Sequence, residues 1–163
     1  MRRLQHRDYH VAHHGAAGPA ADVSCGRILV IDDESLVIRA IRRQFGGTVE
    51  VVGLDDARRA LRLLCDGGRF GAILCDLMMP GLSGPEFYRE LHHRMPEEIA
   101  KVVFLTGGVV SSAMRDFLRR CPNSVVDKPY EPDELAQIVS TLLGSPVVGA
   151  ARAPAGVEDA APR

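Results

Sequence analysis

The sequence predicts an α/β fold: a doubly wound, five-stranded parallel sheet with five helices on its two faces. Three observations carry this. Short apolar runs alternate five times with stretches of helical period, the order of repeated β-α units joined by right-handed crossovers. The runs are continuously apolar rather than alternating, which marks strands covered on both sides. Polar residues, several of them acidic, follow the runs directly, at the edge where open α/β sheets gather their ligands.

Residues 1–26 mix Arg, His, Ala and Gly without helical or strand period, and are expected to form a disordered N-terminal tail. Four of the six histidines lie here (His6, His10, His13 and His14). A His pair one turn apart can bind zinc, but no ordered supporting groups accompany these, and a solvated leader is the plainer reading. The folded unit is expected over 27–144. Residues 27–31 form the first strand, ending in Asp32, Asp33 and Glu34. Leu36, Val37, Ala40, Ile41 and Phe45 then make a helical face stopped by Gly46 and Gly47. Residues 49–52 are the second strand. Asp55 or Asp56 can cap a helix with Ala57, Ala60, Leu61 and Leu64 inward, ended by Gly67 and Gly68.

Residues 72–75, the third strand, deliver Asp76 ahead of a Met-Met-Pro-Gly turn. Ser83 precedes a helix from Pro85 through Phe87, Tyr88, Leu91 and Met95, closed by Pro96. Residues 101–105 are the fourth strand, ending at Thr106. A helix over 111–120 follows, with Ala113, Met114, Phe117 and Leu118 on its apolar side. Residues 124–126 are the fifth strand and deliver Asp127, Lys128 and Pro129. The last helix, over 131–143, turns Leu135, Ile138, Val139 and Leu142 inward and is broken by Ser145 and Pro146. The Ala/Pro/Gly-rich stretch 145–163 reads as a disordered tail or linker.

Composition removes several classes of function. A formal charge of −1 gives no electrostatic footprint for DNA or an anionic membrane. Trp is absent and aromatics are few, which disfavours a nucleic-acid surface of stacked rings. No apolar run approaches the roughly 20 residues of a membrane helix, and the N-terminus lacks the apolar core of a signal peptide. A cytoplasmic protein with no nucleic-acid or membrane partner is expected. Cys25, Cys65, Cys75 and Cys121 are widely spaced without a C-x-x-C; Cys65 is expected on the apolar side of its helix and Cys75 in a buried strand, as reduced structural thiols.

The strand ends carry the chemistry. Asp32 and Asp33 follow the first strand, Asp76 the third, Thr106 the fourth and Lys128 the fifth. Clustered carboxylates repel each other unless a cation sits among them. Oxygen-only ligands favour Mg²⁺, which keeps several waters and takes one or two carboxylates plus phosphate oxygens. A lysine and a hydroxyl suit the other oxygens of a phosphoryl group, and an Asp carboxylate can itself be the nucleophile, giving an acyl phosphate. Without a His or Cys at these strand ends, triad hydrolysis and zinc catalysis have no support.

This constellation, together with Pro129 after the lysine, resembles the receiver domain of two-component response regulators over about residues 27–144. The Thr106-Gly107-Gly108 run, Phe117-Leu118 and Cys121-Pro122-Asn123 are similar to receivers attached to hybrid sensor histidine kinases. The resemblance implies a flavodoxin-like sheet of order 2-1-3-4-5. It implies that Asp76 is the phosphoacceptor, taking a phosphoryl group from the phosphohistidine of a sensor histidine kinase or histidine phosphotransfer protein. Asp33 would be a direct Mg²⁺ ligand and Asp32 one acting mainly through water, with Asp76 and the backbone carbonyl of Met78 completing the metal site. Lys128 would pair with Asp76 and then with the phosphoryl group, its bond to Pro129 being cis, and Thr106 would swing toward the phosphoryl oxygens.

Two departures from the family pattern are visible. Val125 replaces the switch aromatic often found three residues before the lysine, so a coupled Tyr/Thr switch is not expected. Met78 and Gly108, two residues after Asp76 and Thr106, cannot orient an attacking water, so slow self-dephosphorylation is expected. The expected output is a shape change around 111–120 and the last helix, without independent turnover. Two alternatives stand beside this reading: a receiver-like interaction domain that is never phosphorylated, and a phosphohydrolase of the haloacid dehalogenase kind. The latter places its nucleophile on the first strand in an Asp-x-Asp-x-Thr arrangement, where this chain has Asp32-Asp33-Glu34-Ser35.

Overall fold

The computed structural model describes residues 26–108 and 111–147. In chain order they form β1 (Arg27–Ile31), α1 (Ser35–Phe45), β2 (Glu50–Leu54), α2 (Ala57–Cys65), β3 (Ala72–Asp76) and α3 (Gly84–Arg94). A 3₁₀ helix (Pro96–Lys101) follows, then β4 (Val102–Gly107), α4 (Ser112–Arg120), β5 (Val125–Lys128) and α5 (Pro132–Leu143). All neighbouring strands pair in parallel, in the order β2-β1-β3-β4-β5. The expected flavodoxin-like sheet is therefore present, and the 3₁₀ helix is an element additional to the five expected.

Because successive side chains of a strand point to opposite faces, the sheet feeds two cores. Ile28, Val30, Leu74, Val103 and Leu105 pack with Ile38, Ile41 and Phe45 of α1 and Leu135 and Val139 of α5. Leu29, Ile31, Ile73, Cys75 and Phe104 pack with Leu61 and Leu64 of α2 and Phe87 and Leu91 of α3. Each of these large side chains contributes about 1.5–3 kcal/mol on leaving water, so the central strands are the best-anchored part of the molecule. Burial also pushes the Cys75 thiol far up, keeping it an inert core group.

The inward face of α1 differs from the expectation. Leu36 is 68% exposed and Ala40 is exposed, while Ile38 is buried. Gly53 is the reason: a Cβ there would stand 2.2 Å from Cγ2 of Ile38, so the missing side chain on β2 is the socket into which α1 inserts Ile38. Register moves β2 as well, because Arg27–Ile31 pair with Glu50–Leu54. Cys65 is exposed rather than on the apolar side of α2, since Ala57, Ala60, Leu61 and Leu64 already fill that face. Lys101 ends the 3₁₀ helix instead of starting β4.

Two further differences lie at the far edge. Ala113 is exposed and α4 has no fully buried side chain, its contacts being the half-buried Met114, Phe117 and Leu118. On α5, Ala136 and Leu143 are buried where Ile138 and Leu142 are only partly so. The packed chain also runs beyond residue 144. Gly144 turns through the left-handed region at φ 64°, and Val147 folds back onto the core, donating its N–H to Ser140 Oγ at 2.8 Å. The expectations for the N-terminal histidines, for Cys25 and for disorder in 1–25 and 148–163 lie outside the described residues.

Candidate functional site

The parallel register assembles the site. Ile31 pairs with Cys75, so the residues that follow them, Asp32 and Asp76, emerge side by side from the two central strands. Gly107 pairs with Lys128, which carries the lysine in from β5. Asp32 is fully buried, and Asp76 and Thr106 are nearly so. Lys128 Nζ donates to Asp32 Oδ2 and to Asp76 Oδ1, each at 2.6 Å. The other two carboxylate oxygens are held by the main chain: Glu34 N–H donates to Asp32 Oδ1 at 2.9 Å, and Met78 N–H to Asp76 Oδ2 at 2.6 Å.

This arrangement is electrostatically tense. Burial pushes the Asp32 carboxyl above the usual Asp range, against the pull of its hydrogen bonds from Lys128 and the Glu34 amide. Burial would lower Lys128, but its hydrogen bonds to Asp32 and Asp76 outweigh that and hold the ammonium above its ordinary range. The lysine therefore stays charged between two carboxylates. Asp33, next in the chain, is exposed, so the site is a buried ion cluster with an acidic rim.

The close-approach residue of the site is Gly84. A Cβ there would stand 2.7 Å from the Asp76 carbonyl oxygen and 2.9 Å from Leu77 Cα. Only glycine lets the first turn of α3 close over the end of β3, where Gly84 N–H donates to the Leu77 carbonyl at 3.1 Å. The helix start is fixed by a reciprocal cap, with Ser83 N–H donating to Glu86 Oε2 and the Ser83 side chain meeting the N3 backbone. Asp76 is thus braced from its own strand, from Met78 and from the helix below.

Met78 meets this centre through its main chain, by the N–H that donates to Asp76 Oδ2. Met78 is 55% exposed and Val125 37%. Gly108 has φ 72°, and the Lys128–Pro129 peptide bond is cis. Among the described residues no hydrogen bond joins the Thr106 hydroxyl to Asp76 or Lys128.

The fit to a metal is a question of charge and donors. Among the described residues no three His, Cys, Asp or Glu side chains form a ready-made metal group. Mg²⁺ does not need one, because it binds through one or two carboxylates and retains water. Asp32, Asp33 and Asp76 with Lys128 leave an excess of negative charge and oxygen donors only, which fits a hard divalent cation.

Sequence reasoning missed one polar hub. Asn123 is buried before β5; its Nδ2 donates to the Ile99 and Val102 carbonyls at 2.7 and 2.8 Å, and its Oδ1 accepts from the Tyr88 hydroxyl at 2.9 Å. The tyrosine ring packs with Phe104 and Phe117, centroids 5.6 and 5.7 Å away. A lone Asn in a loop gives no sign of this; only its burial does.

The response regulator receiver domain model matches residues 28–140. The chain belongs to the response regulator receiver family. It is 31% identical over 119 residues to the hydrogenase transcriptional regulatory protein HoxA of Cupriavidus necator, covering 69% of this chain and 23% of that one. It is 29% identical over 133 residues to the sensor histidine kinase AruS of Pseudomonas aeruginosa, covering 78% of this chain and 13% of that one. The crystal structure of a response regulator receiver domain protein from Clostridium thermocellum superposes with a TM-score of 0.64 at 25% identity, covering 73% of this chain and 94% of that one. The receiver chain spans about a quarter of the length of the curated relatives it matches first. Receiver domains are the signalling modules of two-component systems, and this family typically binds Mg²⁺ at its phosphorylation site. Among the described residues of this receiver no helix is long and apolar enough to cross a membrane.

Proposed function

We propose that Asp76 is the phosphoacceptor of this receiver, fed by a sensor histidine kinase or a histidine phosphotransfer protein. The observation that carries the reading is the buried three-way contact of Lys128 with Asp32 and Asp76 at 2.6 Å. It supplies a carboxylate at the strand edge and a cation that can follow charge from carboxylate to phosphoryl oxygen.

A carboxylate oxygen of Asp76 attacks the phosphorus of the donor phosphohistidine. The new O–P bond forms as the P–N bond breaks, the imidazole leaves with the electron pair, and its nitrogen takes a proton from solvent. Asp32, Asp33, Asp76 and the Met78 carbonyl would hold Mg²⁺, which when bound supplies positive charge against the phosphoryl oxygens. Lys128 trades its bond to Asp76 for one to a phosphoryl oxygen while Asp32 keeps hold of it. Thr106, buried at the end of β4, offers its hydroxyl to a second oxygen.

Neither Met78 nor Gly108 presents a group to orient water, which supports a long-lived acyl phosphate. The placement of Asp76 on the third strand argues against the phosphohydrolase alternative. The residues proposed as the receiver unit are 27–144, closed by the fold-back at Val147.

The test is intact mass after incubation with Mg²⁺ and acetyl phosphate, for the parent protein and Asp76→Asn. One phosphoryl adduct on the parent, absent from the variant and persisting for minutes or longer, is expected. An adduct on the variant, or none on the parent with Mg²⁺ binding shown separately, would overturn Asp76 as acceptor; a half-life of seconds would contradict the long-lived phosphate.

A further inference from the structure

A second charged site lies at the opposite edge of the sheet, away from β5. A cleft of about 260 Å³ opens between α1, the edge strand β2 and the start of α2, lined among others by Ser35, Arg39, Arg42, Gly53, Asp55 and Arg59. Three guanidinium groups face one carboxylate there. Arg59 is held by Asp55, with Nη1 to Oδ1 at 3.0 Å. Arg39 and Arg42 form no ion pair among the described residues, although both stand one helical step apart on the same side of α1.

The cleft has a shaped floor. A Cβ at Gly53 would stand 3.2 Å from Arg42 Nη2, so the guanidinium of Arg42 reaches across the bare backbone of β2. Beneath it, Ile38 is buried and offers an apolar base. Arginine at a sheet edge can simply deter strand addition. That role asks for charge on the edge, and it does not ask for two unpaired guanidinium groups converging on a concavity. Guanidinium is the group that matches phosphate oxygens with paired N–H donors, and a partly enclosed site strengthens such bonds.

We infer that this cleft binds a compact phosphoanion carrying at least two negative charges, with Arg39 and Arg42 as the principal ligands. The volume suits two linked phosphoryl groups and lies below the usual size of a site for a whole drug-like ligand. Ser35 supplies a hydroxyl at the rim, and Arg59 can turn from Asp55 to the ligand. The cleft borders the acidic site directly, because Ser35 follows Glu34 and Asp32 N–H donates to the Leu54 carbonyl at 3.1 Å.

Titration of the full chain with inorganic pyrophosphate, without Mg²⁺ and at constant ionic strength, tests this by amide chemical shifts. Saturable shifts at Ser35, Arg39, Arg42 and residues 53–59 are expected. Arg39→Gln with Arg42→Gln should weaken binding about tenfold or more, while Arg119→Gln with Arg120→Gln, on a distant helix, leaves it unchanged. Because all four positions are exposed, each double variant should keep the parent amide spectrum elsewhere. Shifts that fail to saturate, that centre on Thr106 and Lys128 instead, or that survive the Arg39/Arg42 substitutions would overturn the proposal. None of these outcomes depends on whether Asp76 is phosphorylated.

Discussion

The two sides of the candidate site are held in different ways. On one side stand β1 and β3: every residue of β3 is buried, and α3 beneath it sinks Phe87 and Leu91 and starts on a reciprocal cap. On the other stand α4 and β5. Helix α4 buries no side chain fully, and of the four residues of β5 only Val126 is buried. The carboxylates Asp32 and Asp76 belong to the first side, and Lys128 arrives from the second. The proposed acceptor Asp76 thus stands where packing is deep. On the proposed function, the surface expected to change shape lies where fewer contacts oppose it, as regions of low local stability do in general.

What ties α4 down is specific rather than extensive. Phe117 meets Phe104 and Tyr88 edge-on, with ring centroids 5.4 and 5.7 Å away. Tyr88 is anchored through Asn123, and burial raises its phenol above the ordinary range. Phe104 sits two residues before Thr106 on the same face of β4. The end of β4 is therefore joined to α4 through one ring cluster.

The contrast can be broken by truncation on either side. Phe87→Ala should cost about 3–5 kcal/mol and Phe117→Ala about 1–2 kcal/mol in denaturant unfolding; equal losses would show that α4 is as firmly packed as α3. Gly84→Ala should cost about 1–3 kcal/mol, since its Cβ meets backbone rather than a flexible side chain. The same variant should slow adduct formation with acetyl phosphate by displacing the end of β3, and an unchanged rate would mean that this brace does not position Asp76. The smallest effect sharpens the picture most. Ser111 Oγ accepts from Met114 N–H at 3.2 Å as the cap of α4, so Ser111→Ala should cost about 0.5–1 kcal/mol, confined to amide exchange within α4. A matching loss of global stability would tie α4 to the core more closely than its burial indicates.

The strands and the polar residues Asp32, Asp76 and Lys128 at their ends were legible because each rests on a strong local signal, whereas the strand order came only with the resemblance to receiver domains. A continuous apolar run marks a buried strand, and polar residues at its end mark the ligand edge. The misread elements turn on facts of packing that no local pattern holds. Ile38 is inward because Gly53 lies opposite it, a pairing set by β1–β2 register. The 3₁₀ helix is too short to show a period, and its buried Glu98 is hidden by an ion pair with Lys101, both oxygens at 3.0 Å. The arginine cleft has no local signal either, because only the fold brings Arg39 and Arg42 of α1 and Arg59 of α2 together.

Hydrogen exchange by mass spectrometry, on the Mg²⁺-loaded protein before and after acetyl phosphate, tests the division most directly. Exchange should change on phosphorylation across residues 106–120 and 125–128 while β1 and β3 keep their protection. An equal change in β3, or none in α4, would contradict a fixed acceptor working against a yielding edge.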